Sequence, residues 1–299
     1  MKKTILSIIM VSVVLLAASI RANADEVKKE KAVKELKVLS IGNSFSVCLS
    51  SYFKSVVESV PGCKLTWDHL TIGGCSLERH WENIVKEEAD PSFRYFKKYS
   101  YKEKLKSQKW DIVSIQQASH FSWKPETFEP YAKNIVDFIK ANAPQAEVVF
   151  QQTWAYRPDE PRLAKWGIDQ KKMFEELTRA YGRAAQELNL RIIPVGLAVQ
   201  IARDTFPGGY KPFKRTDFVY PDLPDMKCFL TGAIKWSPDK KTLSGDAFHL
   251  NDRGKYLQSC VWFAVLYDRD PCEITFVPQS ITPEDAVFLR NAAKKAVQK

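Results

Sequence analysis

The sequence has 299 residues, of which 45% are hydrophobic, and its formal net charge is +10. A chain of this length approaches the upper limit of one hydrophobic core, and it has no Ser-, Gly- or Pro-rich linker, internal repeat or low-complexity tract, so one domain is expected. The basic residues are dispersed, without a nucleic-acid-binding motif or a basic helix interleaved with aromatic residues, so nucleic-acid binding is not expected.

The first 24 residues have the pattern of a secretory signal peptide. A charged start, an apolar run over residues 5–20 and an A-x-A cleavage signal ending at Ala24 follow one another. No Cys follows the cleavage position, and no later apolar run approaches the ~20 residues that a spanning helix needs. We therefore predict a signal peptide over residues 1–24 and a secreted or periplasmic domain over residues 25–299, without stable membrane insertion.

The first predicted strand ends beside a serine. Val38, Leu39 and Ile41 indicate a short buried strand, and Gly42 interrupts it where a turn into a helix would begin. Ser44 follows the strand directly. In an open α/β sheet, ligands bind outside the carboxyl ends of the strands, so this hydroxyl is a candidate for chemistry. The alternative is that Ser44 only caps the helix that follows, which the apolar spacing predicts over residues 47–60.

The second predicted strand, residues 64–72, ends at two consecutive glycines, Gly73 and Gly74. Glycines at a strand exit allow a backbone N–H to approach a ligand closely, although an ordinary tight turn is the alternative. A helix predicted over residues 76–86 carries His80 on its apolar face. His80 is a candidate functional residue, but a packed histidine with both ring nitrogens hydrogen-bonded is the simpler interpretation.

A third strand over residues 109–117 ends in two amide side chains, Gln116 and Gln117, and His120 follows closely. Because the carboxyl ends of parallel strands meet at one edge of a sheet, the sequence brings these amides toward Ser44 and the glycine pair.

The rest of the chain continues the alternation of strand and helix. Helices are predicted over residues 126–142 and 170–190, and strands over 147–152 and 191–195. This alternation favours a doubly wound, flavodoxin-like α/β/α sandwich of three layers with a mostly parallel sheet. Residues 206–243 are rich in proline and aromatic residues and are predicted to be a loop insertion, which could be a lid, a binding loop or a disordered segment.

Six cysteines follow the predicted signal peptide, namely Cys48, Cys63, Cys75, Cys228, Cys260 and Cys272. Export would permit disulfide bonds. None of the six shows the C-x-x-C spacing of a zinc site, and neither a metal nor another cofactor is expected. Cys48 and Cys260 lie on predicted apolar helix faces, where buried free thiols and disulfide bonds are equally consistent with the pattern.

Four short blocks together resemble the SGNH/GDSL hydrolase superfamily, most closely an uncharacterised bacterial branch of it. They are Gly42-Asn-Ser44, the pair Gly73-Gly74, the amides after the third strand, and Asp246-x-x-His249. The resemblance extends from Lys37 to about Tyr267. It implies a sheet of the flavodoxin-like type and a serine hydrolase mechanism.

By that resemblance, Ser44 is the nucleophile, His249 is the general base and then acid, and Asp246 orients the imidazole. A serine hydroxyl becomes a good nucleophile only when a base within hydrogen-bond reach takes its proton, and that base needs a third group to set its tautomer. The alternative for Asp246 and His249 is a capping aspartate and a packed histidine.

The same resemblance implies an oxyanion hole formed by the backbone N–H of Ser44, an N–H of Gly73 or Gly74, and a side-chain amide. The superfamily usually supplies that amide from Gly-x-Asn, whereas this chain has Gln116-Gln117. Gln116 is preferred over Gln117, and His120 could reach the site instead.

The expected substrate is an acylated carbohydrate or another small ester, which makes the chain a carbohydrate O-acyl esterase. Loop aromatic residues suit a sugar ring stacked on an indole, so Trp81, Trp154 and His120 are predicted to contact substrate, although buried packing is the alternative for tryptophan. Two other functions stay open: a lipid or thioester hydrolase with the same site, and a non-catalytic glycan-binding protein on this scaffold.

Overall fold

A mostly parallel sheet forms the centre of the computed structural model, which describes residues 33–298. Its five strands are β1 (Lys34–Gly42), β2 (Cys63–Thr71), β3 (Ile112–Ile115), β4 (Glu147–Gln151) and β5 (Arg191–Ile193), in the order β2-β1-β3-β4-β5. The pairs β1–β3, β3–β4 and β4–β5 are parallel, with Val38 opposite Ile112. The predicted α/β fold is therefore confirmed.

Ten α-helices are described around this sheet. They are α1 (Ser44–Val47), α2 (Phe53–Glu58), α3 (Leu77–Ala89), α4 (Tyr101–Lys106), α5 (Tyr131–Asn142), α6 (Pro161–Lys165), α7 (Gln170–Leu188), α8 (Val195–Asp204), α9 (Asp252–Tyr267) and α10 (Pro283–Val297). Their starts follow ordinary capping chemistry, since Asp169, Asn251 and Thr282 each accept a backbone N–H from the first turn of their helix.

The helix predicted over residues 47–60 is divided in the structure. α1 is followed by a 3-10 turn, Cys48–Ser51, and α2 begins only at Phe53. Ser50 Oγ donates to Val47 O at 2.7 Å, a local bond that competes with regular helix, and Tyr52 leaves the helical region at φ −140°. The apolar spacing identified the buried face correctly, but it could not show this interruption.

Both faces of the sheet are covered, which makes three layers. Val38, Ile112 and Val149 point into one core, with α2, α8, α9 and α10. The neighbouring residues Leu39 and Val113 point into the other core, which α3, α5 and α7 cover. Successive side chains of a strand alternate between faces, so strands buried on both sides have the continuous apolar runs seen in the sequence.

The segment predicted as a loop insertion, residues 206–243, has structure of its own. It contains a 3-10 turn, Arg215–Asp217, and strand β6 (Ile234–Trp236), which pairs antiparallel with β7 (Leu243–Gly245). A buried ion-pair cluster ties it to the loop after β4, because Asp159 bonds to both Arg157 and Arg215.

The predicted signal peptide lies outside the described residues. Within residues 33–298, no helix is long and apolar enough to cross a bilayer. The six cysteines all fall inside this range and are free thiols, with Cys48 and Cys260 buried. Of the two alternatives for those two cysteines, the structure therefore has the buried free thiol.

Candidate active site

Ser44 stands at the first position of α1, immediately beyond the carboxyl end of β1. Asn43 is the N-cap, because its Oδ1 accepts the Phe45 N–H at 3.1 Å. The alternative in which Ser44 serves only as the cap is thus wrong. Gly42 allows this tight turn, since a Cβ there would lie 2.5 Å from Ser46 Oγ and 3.0 Å from Gln116 Cγ.

The structure brings Ser44, His249 and Asp246 together, although 205 positions separate the first two in the chain. Ser44 Oγ lies 2.8 Å from His249 Nε2, and His249 Nδ1 lies 2.6 Å from Asp246 Oδ2. With Nδ1 donating its proton to the carboxylate, Nε2 is the acceptor for the serine hydroxyl. This is the geometry that a general base needs to activate a serine.

Asp246 is held ionised by its own loop. Its Oδ1 accepts the backbone N–H groups of Phe248 and His249, both at 2.9 Å. Partial burial acts to raise the pKa of Asp246, but the hydrogen bonds from the His249 ring and from these two N–H groups hold that pKa at about 2. At neutral pH the carboxylate therefore fixes the imidazole tautomer.

Trp154 packs against the two segments that carry Ser44 and His249. Its indole is fully buried, stacks on Phe45 with ring centroids 4.1 Å apart, and donates from Nε1 to Phe248 O at 2.7 Å. The prediction that Trp154 contacts substrate is therefore corrected, because a fully buried indole is not accessible to a ligand. The side chain instead joins the turn that carries Ser44 to the loop that carries His249.

Three backbone N–H groups are candidates for the predicted oxyanion hole. The Ser44 N–H belongs to the first turn of α1, where amides have no intrahelical acceptor. Gly73 and Gly74 are exposed, and within the described residues neither N–H donates to a protein acceptor. Gly73 and Ser44 line the same cleft of about 310 Å³, and no atom lies within 4 Å of a Cβ placed on Gly73.

The Gln116 amide is committed to protein partners. Its Nε2 donates to Asn43 Oδ1 at 2.6 Å, and its Oε1 accepts from Ser46 Oγ and from the Gln151 amide. Gln151 in turn accepts from Gln258, so a buried chain of amides underlies α1. Gln116 therefore holds the N-cap of α1 rather than facing the oxyanion.

Gln117 is occupied as well. Its Oε1 accepts the Leu77 N–H at 3.0 Å, and its Nε2 donates to Thr127 O at 2.7 Å. The predicted role of either glutamine in the oxyanion hole is corrected accordingly. The partners Gln151 and Gln258 were not predicted from the sequence, although the polar Gln151 at the end of the apolar strand β4 was a signal for the first.

The remaining candidates are His80, Trp81 and His120. His80 is fully buried, with Nε2 2.9 Å from Gly42 O and Nδ1 2.6 Å from the Tyr101 hydroxyl, so the packed interpretation is correct. Trp81 is half-buried against the core that α5 covers. His120 is half-buried beside Phe121, and burial lowers its pKa. Within the described residues, neither Trp81 nor His120 forms a hydrogen bond or a ring contact with Ser44, Asp246 or His249.

A second cleft, of about 520 Å³, has Asp246 and His249 among its lining residues. A larger cavity, about 580 Å³, lies near the start of β5 and includes no residue of the triad. The candidate active site is therefore located by the side chains of Ser44, His249 and Asp246 and not by the size of a cavity. It lies at the carboxyl edge of the sheet, where ligands of open α/β folds bind.

Comparisons with known proteins extend these observations. The model of a domain of unknown function, DUF4886, matches residues 37–238. A crystal structure of a DUF4886 family protein from Bacteroides uniformis is 26% identical, with a TM-score of 0.70 over 88% of this chain and 95% of that one. No curated protein sequence matches the chain significantly.

Two more distant structures share parts of the architecture. A protein from Slackia heliotrinireducens, proposed to be an SGNH hydrolase, is 19% identical, with a TM-score of 0.46 over 77% of this chain and 98% of that one. A lipase/acylhydrolase from Enterococcus faecalis is 14% identical, with a TM-score of 0.44 over 78% and 96%. Both likenesses are too distant to indicate an activity.

Proposed function

This chain belongs to the DUF4886 family, whose description states no activity, and we propose that it is a serine hydrolase of the SGNH/GDSL type that cleaves carboxylic esters. The observation that carries the proposal is the hydrogen-bonded series from Ser44 Oγ to His249 Nε2, at 2.8 Å, and from His249 Nδ1 to Asp246, at 2.6 Å. If His249 were only a packed histidine and Asp246 only a capping residue, nothing would require a half-buried serine hydroxyl within hydrogen-bond distance of His249 Nε2.

The chemistry follows from these contacts. Ser44 Oγ attacks the ester carbonyl carbon while its proton passes to His249 Nε2. The tetrahedral intermediate then collapses: the bond to the alcohol oxygen breaks, and that oxygen takes the proton from His249. Water attacks the acyl-enzyme in the same way, which releases the carboxylic acid and returns the proton to Ser44. Asp246 stays ionised throughout and stabilises the imidazolium.

Backbone amides supply the charge stabilisation in this proposal. The Ser44 N–H and the N–H groups of Gly73 and Gly74 are assigned to the oxyanion, because both side-chain amides that could have contributed are bonded elsewhere. Gly74 has φ +63°, which a residue with a side chain adopts only at a cost.

The substrate class we propose is an O-acylated carbohydrate with a short acyl group, hydrolysed outside the cytoplasm after removal of residues 1–24. The cleft beside Ser44 measures about 310 Å³, and its lining includes Val47, Cys48 and Thr71. A long acyl chain would need a more extended channel, so the small volume of this cleft supports a short acyl group over a lipid.

The test compares the mature protein with Ser44→Ala on 4-nitrophenyl esters of increasing chain length and on acetylated polysaccharides. Ser55→Ala is the matched control, because Ser55 is an exposed serine in α2 away from the cleft. We expect hydrolysis by the wild type and the control, highest for acetate, and none above background by Ser44→Ala.

Retained hydrolysis by Ser44→Ala would contradict the nucleophile assignment. Rates that rise with chain length would favour a lipid or thioester hydrolase. Saccharide binding without turnover, unaffected by His249→Ala, would identify a glycan-binding protein instead.

A further inference from the structure

The cleft that opens from Ser44 contains one charged side chain among its described lining residues, Lys255. The other walls are uncharged and include the half-buried Ser44, the backbone of Gly73 and the largely buried Cys48. Burial raises the pKa of Cys48 to about 11, while the Lys255 charge acts in the opposite direction, as expected if ammonium and thiol share one small space.

A lysine at position 255 contributes little to the stability of its own helix, α9. It lies in the first turn of α9, whose N-cap is Asn251, and a cation at a helix N-terminus opposes the helix dipole. Its ion pair with Asp252 Oδ1 has a length of 3.3 Å, and the Asp252 side chain is 46% exposed. Exposed pairs of this kind contribute little to stability.

The ammonium can therefore bind another acceptor. Lys255 has three donor hydrogens, and its side chain is 29% exposed, in a cleft small enough that a ligand at Ser44 also lies beside it. Partial exclusion of water strengthens such a charge interaction relative to one on an open surface.

We propose that Lys255 selects esters that carry a carboxylate close to the scissile bond. The inference rests on the proposed esterase function and narrows its substrate to anionic esters, either an acyl group that ends in a carboxylate or an acylated sugar acid. Lys255 is a specificity residue in this assignment, since the bond-breaking steps are assigned to Ser44, His249, Asp246 and the backbone amides.

The experiment measures kcat/KM for matched charged and neutral esters. Mono-4-nitrophenyl glutarate against 4-nitrophenyl pentanoate places the charge on the acyl side, and acetylated 4-hydroxybenzoate against acetylated 4-hydroxybenzamide places it on the alcohol side. The proteins are the wild type, Lys255→Gln, Lys255→Arg and the control Lys140→Gln, which removes an equal charge from an exposed position of α5.

In one of the two ester series, we expect the charged-to-neutral ratio of kcat/KM to be about tenfold lower in Lys255→Gln than in the wild type. A tenfold change corresponds to the loss of one charge-assisted hydrogen bond. Lys255→Arg should retain most of the wild-type charged-to-neutral ratio because it keeps the positive charge, and Lys140→Gln should retain all of it. For the wild type, the ratio also falls as salt is raised from about 0.05 M to about 0.5 M, because screening weakens the attraction.

An equal ratio in the wild type and Lys255→Gln in both series, with hydrolysis that still depends on Ser44, would overturn this inference and leave the esterase function standing. No hydrolysis of any ester by a folded wild type would overturn both. If Lys255→Gln fails to fold, the wild-type salt dependence decides: a charged-to-neutral ratio of kcat/KM that does not change between about 0.05 M and about 0.5 M salt refutes the proposal.

Discussion

Acidification is expected to destabilise the protein through His80. This imidazole is fully buried behind the Ser44 turn, and desolvation lowers its pKa from 6.5 to about 4. As the pH falls below 6.5, the unfolded chain takes up the proton before the folded one, so the free energy of unfolding falls until the pH reaches about 4. At 1.36 kcal/mol per pKa unit, the loss amounts to about 3 kcal/mol.

That loss is a large fraction of the ~5–15 kcal/mol that stabilises a typical domain. The assay is urea unfolding at pH 7, 6, 5 and 4, followed by tryptophan fluorescence, for the wild type and His80→Gln. Carboxylates titrate in both proteins, so the difference between them isolates the histidine. Glutamine cannot take up the proton, and we expect His80→Gln to be the less stable protein at pH 7 and to lose about 3 kcal/mol less between pH 7 and pH 4.

Parallel curves for the two proteins over this pH range would refute the reasoning. They would mean that His80 titrates alike in the folded and unfolded states, and hence that it is not sealed between Gly42 and Tyr101 as the structure shows.

Three further predictions concern the site. Asp246→Asn should lower kcat by ~10³–10⁴-fold with unchanged circular dichroism, because the imidazole loses its tautomer control; a loss below about tenfold would contradict this role. Gln116→Leu should lower the free energy of unfolding by about 2–3 kcal/mol, since Asn43 loses its donor. A fall of ~10²-fold in kcat without that loss would instead identify Gln116 as an oxyanion donor. Trp154→Phe should destabilise by about 1–3 kcal/mol, because the Phe248 carbonyl loses its buried donor, and should leave KM for small esters unchanged; a selective rise in KM would return Trp154 to the substrate site.

The sequence by itself determined the architecture and the chemistry-bearing ends of the strands. Apolar runs at Val38–Ile41 and at Ile112–Ile115, each followed by turn or amide residues, are local signals, and local signals specify strands and their exits. The parallel order of the sheet then follows from the alternation of strands and helices. Ser44, Asp246 and His249 were likewise predicted from short blocks, and the structure places their side chains within hydrogen-bond distance of one another.

Only the tertiary structure decided how the polar side chains are used. Asn43 rather than Ser44 caps α1, Gln116 and Gln117 bond to protein groups, and Trp154 is sealed beneath Phe45. These outcomes depend on partners from distant parts of the chain. The identity of a residue determines how many hydrogen bonds it can donate and accept, but not which groups it bonds to.

Lys255 shows the same division. In the sequence it is one of 45 basic residues and has no distinguishing neighbour. The packing of α9 against the 3-10 turn after α1 places it at the cleft of Ser44. The role of a lysine depends on its surroundings, because its charge interacts strongly only with groups a few ångströms away where water is partly excluded. For Lys255, those surroundings form only when its helix packs beside the segment that carries Ser44.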